Sequence, residues 1–346
     1  MSAEVSTLSR VRTARIGRLR RWWAQVVLLA AILVGLVVLT LTRGDTNYSL
    51  AEVWRVIRGV DAGGADFIVG TLRLPRVVLA VVAGAAFGLA GTTFQTLLRN
   101  PLASPDVVGI TAGASAAASV GIVSLGWSDT QVSLLAVTAG MAVALGVYLL
   151  AWRGGLHGTR LVLIGIGVAA MLQSVVAIQL EEAGRGQLAE ALRWLTGSLN
   201  GATWQVTTPP TIAVVVLGAV LLSRTREIGV GQLGDDAANA LGVRVDRSRL
   251  VTIMVAVTLI CIATAATGPI AFVAFLAGPI TARLMGNSGS LLLPAALTGA
   301  VLVVGADWVG QNLLPHRYPV GVVTGVLGAP YLLYLIVRVN RTGGHL

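Results

Sequence analysis

No lysine occurs in this chain: all 25 positively charged side chains among its 346 residues are arginines, set against 15 carboxylates. A phosphate-binding P-loop of the form GxxxxGK[ST] needs a lysine to reach the β and γ phosphates. The chain therefore cannot hydrolyse ATP through such a loop. Charge of either sign is scarce, at 12% against the ~25% usual in soluble domains. His157, His316 and His345 lie in loops or at the chain end, too scattered for a metal site. No metal ligand and no cofactor is assigned to the chain on that basis. Cys261, the one cysteine, sits within an apolar run, so an intramolecular disulfide is impossible and a packed thiol is expected. Paired histidines, an HExxH motif and a serine–lysine arrangement are all missing, and no catalytic residue is identified. The formal net charge of +10 suggests nucleic acid only until the arginines are located; no basic stripe with interleaved aromatics exists, which argues against that partner.

What the sequence does have is apolar length. Hydrophobic residues make up 55% of it and the mean hydropathy is +0.82. They gather in blocks of about 20 residues, the length a helix needs to cross ~30 Å of hydrocarbon. Ten such segments can be marked, near 22–42, 74–98, 107–125, 130–152, 159–180, 207–223, 248–267, 269–285, 291–314 and 318–338, the eighth being the shortest. They are continuously apolar rather than alternating, which selects helices over barrel strands. The fold class is thus an all-α membrane protein of about ten spans embedded in a lipid bilayer.

The domain plan is simple. Residues 1–21 form a basic tail carrying Arg10, Arg12, Arg15, Arg18, Arg20 and Arg21, residues 22–338 a single transmembrane domain, and 339–346 a second tail. The first apolar run is too long for a cleaved secretory signal and reads as a retained span with Trp22 and Trp23 at the interface. If all ten segments cross and the N-terminus is cytoplasmic, inner loops and tails hold 17 arginines and the outer side eight. The excess of positive charge then lies inside, which fits both termini being cytoplasmic.

Glycine is abundant, at 42 residues, and recurs within spans as Gly84, Gly88 and Gly91, as Gly109 and Gly113, and as Gly321, Gly325 and Gly328. Such spacing lets helix backbones approach closely, either within one subunit or between subunits. Two loops are long. The outer one, 43–73, contains Glu52 to Arg58 with the pattern of a short amphipathic surface helix. The inner one, 224–247, places Leu233, Ala237 and Leu241 at intervals of four, with Asp235 and Asp236 at the start of a short helix where negative charge is favoured. A cytoplasmic surface helix between spans is a natural contact for a partner.

The most specific stretch, residues 73–114, reads RLPRVVLAVVAGAAFGLAGTTFQTLLRNPLASPDVVGITAGA. It closely resembles the iron-siderophore and vitamin B12 permease family of ABC importers. Arg73, Leu74, Pro75 and Arg76 match the RLPR start of the second span. Gln95, Leu98, Arg99, Asn100, Pro101, Leu102, Ala103, Pro105, Gly109, Gly113 and Ala114 match the segment that follows. The resemblance continues through RWLTGSLNGATW (193–204), LGDDAANALGV (233–243), GPIAFVAFLAGPITARLMG (268–286), and Asp307 with PVGVVTGVLGAPYLLYL (319–335). One departure stands out: Leu276 to Ile280 replace a V.PH pattern, so a histidine common there is absent.

On the residues alone, Asn100-Pro101 and Ser104-Pro105 interrupt helix and mark a turn between the second and third spans. Asp307, the one carboxylate within an apolar segment, needs a partner; a structural ion pair is favoured over a proton or ion relay. Gln95 and Gln173 either hydrogen-bond between helices or line a polar path. The resemblance implies the architecture of a type II ABC importer permease: two such subunits, identical or related, around a central path. It further implies separate ATPase subunits that bind ATP and magnesium, and an extracytoplasmic substrate-binding protein. The setting implied is the cytoplasmic (inner) membrane of a bacterium. Ferric siderophore is the cargo expected first, with vitamin B12 or haem as alternatives. The ATPase-coupling contact then falls on Leu233, Gly234, Asp235, Asp236, Ala237, Ala240, Leu241 and Gly242. Binding-protein docking falls on Arg55, Arg58 and Arg317, and the path on the fifth span with Gln173 and Ser174. The rival reading, an ion-driven secondary transporter, calls for several intramembrane carboxylates where only Asp307 qualifies.

Overall fold

The computed structural model describes residues 2–106, 108–152, 158–286 and 288–341; Arg153, His157, His345 and the last part of the 339–346 tail lie outside the described residues. Every one of the ten expected segments falls on a helix. In chain order these are α1 (Ser2–Thr42), then a short α2 (Leu50–Ile57) and a π-helical stretch Asp66–Arg73 that runs into α3 (Leu74–Leu98). After a turn come α4 (Ile110–Val123), α5 (Asp129–Ala151), α6 (Gly158–Glu182), α7 (Arg185–Thr196) and α8 (Trp204–Ser223). Two short helices follow, α9 (Thr225–Gly231) and α10 (Asp235–Ala240), before α11 (Val245–Thr267), α12 (Val273–Met285), α13 (Leu292–Asn312) and α14 (Val320–Arg341).

Among the described residues, seven helical stretches are long and apolar enough to cross a membrane: Thr13–Thr42, Asp66–Leu98, Asp129–Ala151, Gly158–Glu182, Trp204–Ser223, Val245–Thr267 and Leu292–Asn312. Ile110–Val123, Val273–Met285 and Val320–Leu335 are apolar but shorter. The chain is a multi-pass membrane protein. α12 begins four residues later than the expected 269, because the backbone has positive φ at Gly268 (69°) and Phe272 (64°), which no right-handed helix can include. Residues 2–21 of the basic tail are helical and continuous with the first span.

α3 is the axis of the bundle. Of its most apolar stretch 83% is buried, against 11% for α6. It packs on α13, α11, α12 and α8. Its glycines make this possible. A methyl group at Gly84 would lie 2.4 Å from the Gly299 carbonyl oxygen, at Gly88 2.2 Å from that of Ala295, and at Gly91 1.7 Å from that of Ala274. Backbones therefore touch where side chains would otherwise separate them, the packing that apolar helices need in lipid. Around this axis, α4 packs on α5, α6 and α7, α11 also packs on α5 and α8, and α1 lies against α13. Cys261 is buried on α11, as a packed thiol should be, with its sulfur against Gly140 of α5.

α2 and the π-helical stretch form a cap at one end. Ser49 and Glu52 close a reciprocal capping box at the start of α2. Val53 turns inward to join Leu41, Ala65, Val69 and Val77 in a small apolar cluster. Arg73 fastens this cap to α1, donating to the carbonyl oxygens of Leu41 (3.0 Å) and Thr46 (2.7 Å).

Candidate functional site

At one end of α3 the chain leaves the helix through Arg99, whose backbone is left-handed (φ 50°, ψ 36°). Asn100 then closes the turn: its Oδ1 accepts from the Leu102 amide at 2.9 Å. Pro105 is buried, and Pro101 is half-buried. Gly109 (φ 89°) starts α4 and lies against the Gly165 carbonyl of α6. The proline pair thus makes the turn that its chemistry predicts. Within the turn, Asp106 accepts from Thr111 (2.8 Å) and meets Ser104 (3.4 Å). Burial pushes its carboxyl above the ordinary carboxylate range, against the opposing pull of those hydroxyls.

Beside this turn stands the loop 224–247. Leu233 and Leu241 are exposed, at 67% and 65%, although both are large and apolar. Asp236, Ala237, Ala240 and Gly242 are exposed with them. Gly234 (φ 110°) and Gly242 (φ 83°) bracket α10 and supply the positive φ that its tight ends require. Asp235 behaves differently from its neighbour. Its carboxylate accepts from Arg99 Nη2 at 2.9 Å and from Arg249 Nη2 at 3.0 Å. A signature arginine and a residue of the expected coupling segment are therefore bonded to each other, and Arg249 was not singled out from the sequence.

The other end of α3, about 35 Å away for 23 residues of helix, carries Pro75 and Arg76. Pro75 stands where the π-helical stretch passes into α3, and its carbonyl accepts from Thr207 at 3.3 Å. Arg76 meets Asp307 of α13 in a two-pronged ion pair, Nε to Oδ2 at 2.8 Å and Nη2 to Oδ1 at 2.7 Å. Its remaining nitrogen donates to Asn200 Oδ1 at 2.8 Å. Asp307 is 3% exposed. It is thus a buried, ion-paired carboxylate; Asn200, the third member of the group, went unnoticed within RWLTGSLNGATW.

Three other motif stretches meet at one backbone junction. The end of α7, the break at 268–272 and the start of α14 touch through glycine: a methyl at Gly197 would sit 2.4 Å from the Pro269 oxygen, and at Gly321 1.8 Å from the Thr196 oxygen. The Gly321 amide donates to the Gly197 carbonyl at 3.1 Å. Gln95 and Gln173, alike in sequence, part company here. Gln95 is buried and donates to the Phe275 carbonyl at 2.9 Å, bonding α3 to α12. Gln173 and Ser174 lie on the exposed side of α6. Arg55 and Arg58 are exposed on α2, Arg58 stacking over Trp54 at 4.8 Å. Arg317 is also exposed but is paired with Asp45.

The chain matches the FecCD transport family over residues 29–338. The ferric enterobactin transport system permease protein FepG of Escherichia coli (strain K12) is 42% identical over 304 residues, covering 87% of this chain and 92% of that protein. The achromobactin transport system permease protein CbrC of Dickeya dadantii is 38% identical over 319 residues, 91% of each. The cobalamin import system permease protein BtuC of Halobacterium salinarum is 35% identical over 274 residues, 79% and 74% respectively. Among solved structures, a metal-chelate type ABC transporter in an inward-facing conformation aligns with a TM-score of 0.80 at 24% identity, over 90% of this chain and 98% of that one. That likeness shows a shared fold. With relatives this similar over nearly their whole length, and its motif residues gathered at the two ends of α3, the chain belongs to the FecCD transport family.

Proposed function

We propose that the chain is the membrane-spanning permease subunit of an ATP-binding-cassette importer that carries ferric siderophore across the cytoplasmic membrane of a bacterium. The observation that carries this reading is the α10 protrusion. Leu233 and Leu241 stand exposed beside the charged residues of a loop, and a large apolar side chain left bare on such a loop is suited to a protein contact. A chain with no P-loop lysine draws its energy from a separate ATPase carrying ATP and magnesium. The seven long helices together with Ile110–Val123, Val273–Met285 and Val320–Leu335 make ten crossings, with both termini and α10 in the cytoplasm. On the opposite side α2 offers Arg55 and Arg58 to an acidic patch of a binding protein. Arg317, already held by Asp45, contributes less. A second permease subunit covers part of the exposed side of α6, and Gln173 and Ser174 face the path between the two.

A ferric chelate is the preferred cargo because the two relatives at 42% and 38% identity carry names of ferric enterobactin and achromobactin transport. The test is reconstitution of the chain with its ATPase and binding protein in liposomes, followed by uptake of radioactive iron as a siderophore complex. ATP-dependent uptake is expected, abolished by L233S/L241S together with loss of the ATPase from the purified complex. Uptake of cobalamin but not of iron would replace the cargo. Uptake that persists without the ATPase would remove the reading.

A further inference from the structure

Asp235 and Asp236 are adjacent in the sequence and differ in what they touch. The Asp236 side chain is exposed and makes no hydrogen bond or ion pair among the described residues, while the Asp235 carboxylate is held by two guanidinium groups, Arg99 from the turn after α3 and Arg249 from α11. Arg99 binds twice through one nitrogen, to Asp235 Oδ1 at 2.9 Å and to the Gly231 carbonyl at 2.6 Å. It thereby clasps the segment from the end of α9 to the start of α10. Arg249 reaches the same carboxylate from α11, at 3.0 and 3.3 Å.

We propose that Arg99 and Asp235 are positioning residues that transmit displacement of α10 to the α3–α4 turn and through it to α6. The proposal rests on the reading of α10 as the ATPase contact and adds how the push travels onward. Three observations point the same way. First, the pair is half-exposed, 45% for Arg99 and 50% for Asp235, and ion pairs in such settings do little for stability. Secondly, Arg99 occupies the left-handed position that ends a helix, where glycine is the favoured residue. A long basic side chain held against the local preference marks a place where something other than helix termination sets the residue. Thirdly, the turn that begins at Arg99 is stiffly joined to α6. Gly165 lies so close to Val108 that a methyl group there would be 2.6 Å from the Val108 Cα, and Gly109 meets the Gly165 carbonyl in return. With no side chain between the two backbones to absorb movement, a shift of the turn becomes a shift of α6. Removing the Asp235 charge would leave Arg99 and Arg249 facing each other, so α10 would lose its hold on α3 and α11 together.

The experiment uses the complete complex of chain, ATPase and binding protein in liposomes, and measures ATPase retention, ATP hydrolysis and cargo moved per ATP. Arg99→Gln, which lies outside α10, should keep the ATPase bound and hydrolysing while cargo per ATP falls about fivefold or more, the range of a modest coupling energy, and Asp235→Asn should lower cargo per ATP to a similar degree. The double variant should lose well short of the two single losses combined, because both remove the shared Arg99–Asp235 bond. Arg99→Lys should restore part of the loss. Unchanged cargo per ATP in both single variants would overturn the proposal, as would loss of the ATPase from Asp235→Asn, which would place that carboxylate in the docking surface. Retention of the ATPase by L233S/L241S would overturn the reading of α10 itself. The two failures are thus told apart.

Discussion

A carboxylate embedded in apolar helix is stable only while its partner stays. Asp307, 3% exposed and doubly bonded to Arg76, is such a case. Breaking a buried pair from one side costs about 3–5 kcal/mol, because the remaining charge is left uncompensated, whereas replacing both partners by apolar groups is often close to neutral. Arg76→Met should therefore unfold at markedly lower denaturant in detergent, and Arg76→Met/Asp307→Leu should recover most of the loss. A single variant as stable as the parent would show that Asp307 is neutral or hydrated instead. The need for a partner was legible in the sequence, since Asp307 is the one carboxylate inside an apolar segment. The partner was not, because it lies 231 residues away and no periodicity links the two. The glutamines teach the same lesson. Gln95 and Gln173 sit in equally apolar surroundings in the sequence, yet one is fixed inside the bundle and the other faces out of it. Only the packing of α3 and α6 separates them.

At the scale of the helix, length and hydropathy carried most of what could be read. All ten apolar segments are helices, and the turn at Asn100 to Pro105 and the short helix at Asp235 stand where the residues put them. α7 escaped notice because Arg185–Thr196 is amphipathic and carries Arg185, Glu190 and Arg193, so no apolar run announces it. The π-helical stretch Asp66–Arg73 escaped for another reason: its altered hydrogen bonding leaves no periodic signature in composition. Glycine spacing predicted close approach, and the structure sorts which glycines need it. At Gly91 any side chain would collide with the Ala274 carbonyl, while at Gly325 nothing lies within 4 Å. Gly91→Val should force α3 and α12 apart, at a cost of about 1–3 kcal/mol or more from overpacking, read as a lower unfolding midpoint and a poor yield of folded subunit. Gly325→Ala should leave the isolated subunit unchanged. Equal stability of the two variants would mean that α3 and α12 do not meet at Gly91 backbone to backbone.

For the whole molecule, the informative feature is where burial is missing. α3 is enclosed by its neighbours, whereas α6 leaves most of its apolar stretch bare, and a helix cannot be assigned to lipid, to a second subunit or to a path by exposure alone. Polarity discriminates among them. Lipid contact favours the apolar pattern of Leu28 on α1 and Val215 on α8, both exposed and flanked by aliphatic residues. Gln173 and Ser174 break that pattern on α6; Ser174 already donates to the Ala170 carbonyl at 3.1 Å, so the cost of hydrocarbon falls on the Gln173 amide unless water or a partner satisfies it. A path lined by α6 would keep them wet, and alternating access would open that water to one side at a time. Cysteine substitution tests this cleanly, since Cys261, the one natural thiol in the sequence, is 1% exposed and should stay silent. In the assembled transporter, Gln173→Cys and Ser174→Cys should react with a membrane-impermeant thiosulfonate reagent, faster in one nucleotide state than in the other. Leu28→Cys and Val215→Cys should not react in either. Labelling of the α1 and α8 positions but not of the α6 pair, whatever the nucleotide, would mean that the path runs elsewhere, and α6 would then have to be a lipid-facing or fully sealed helix despite its polar residues.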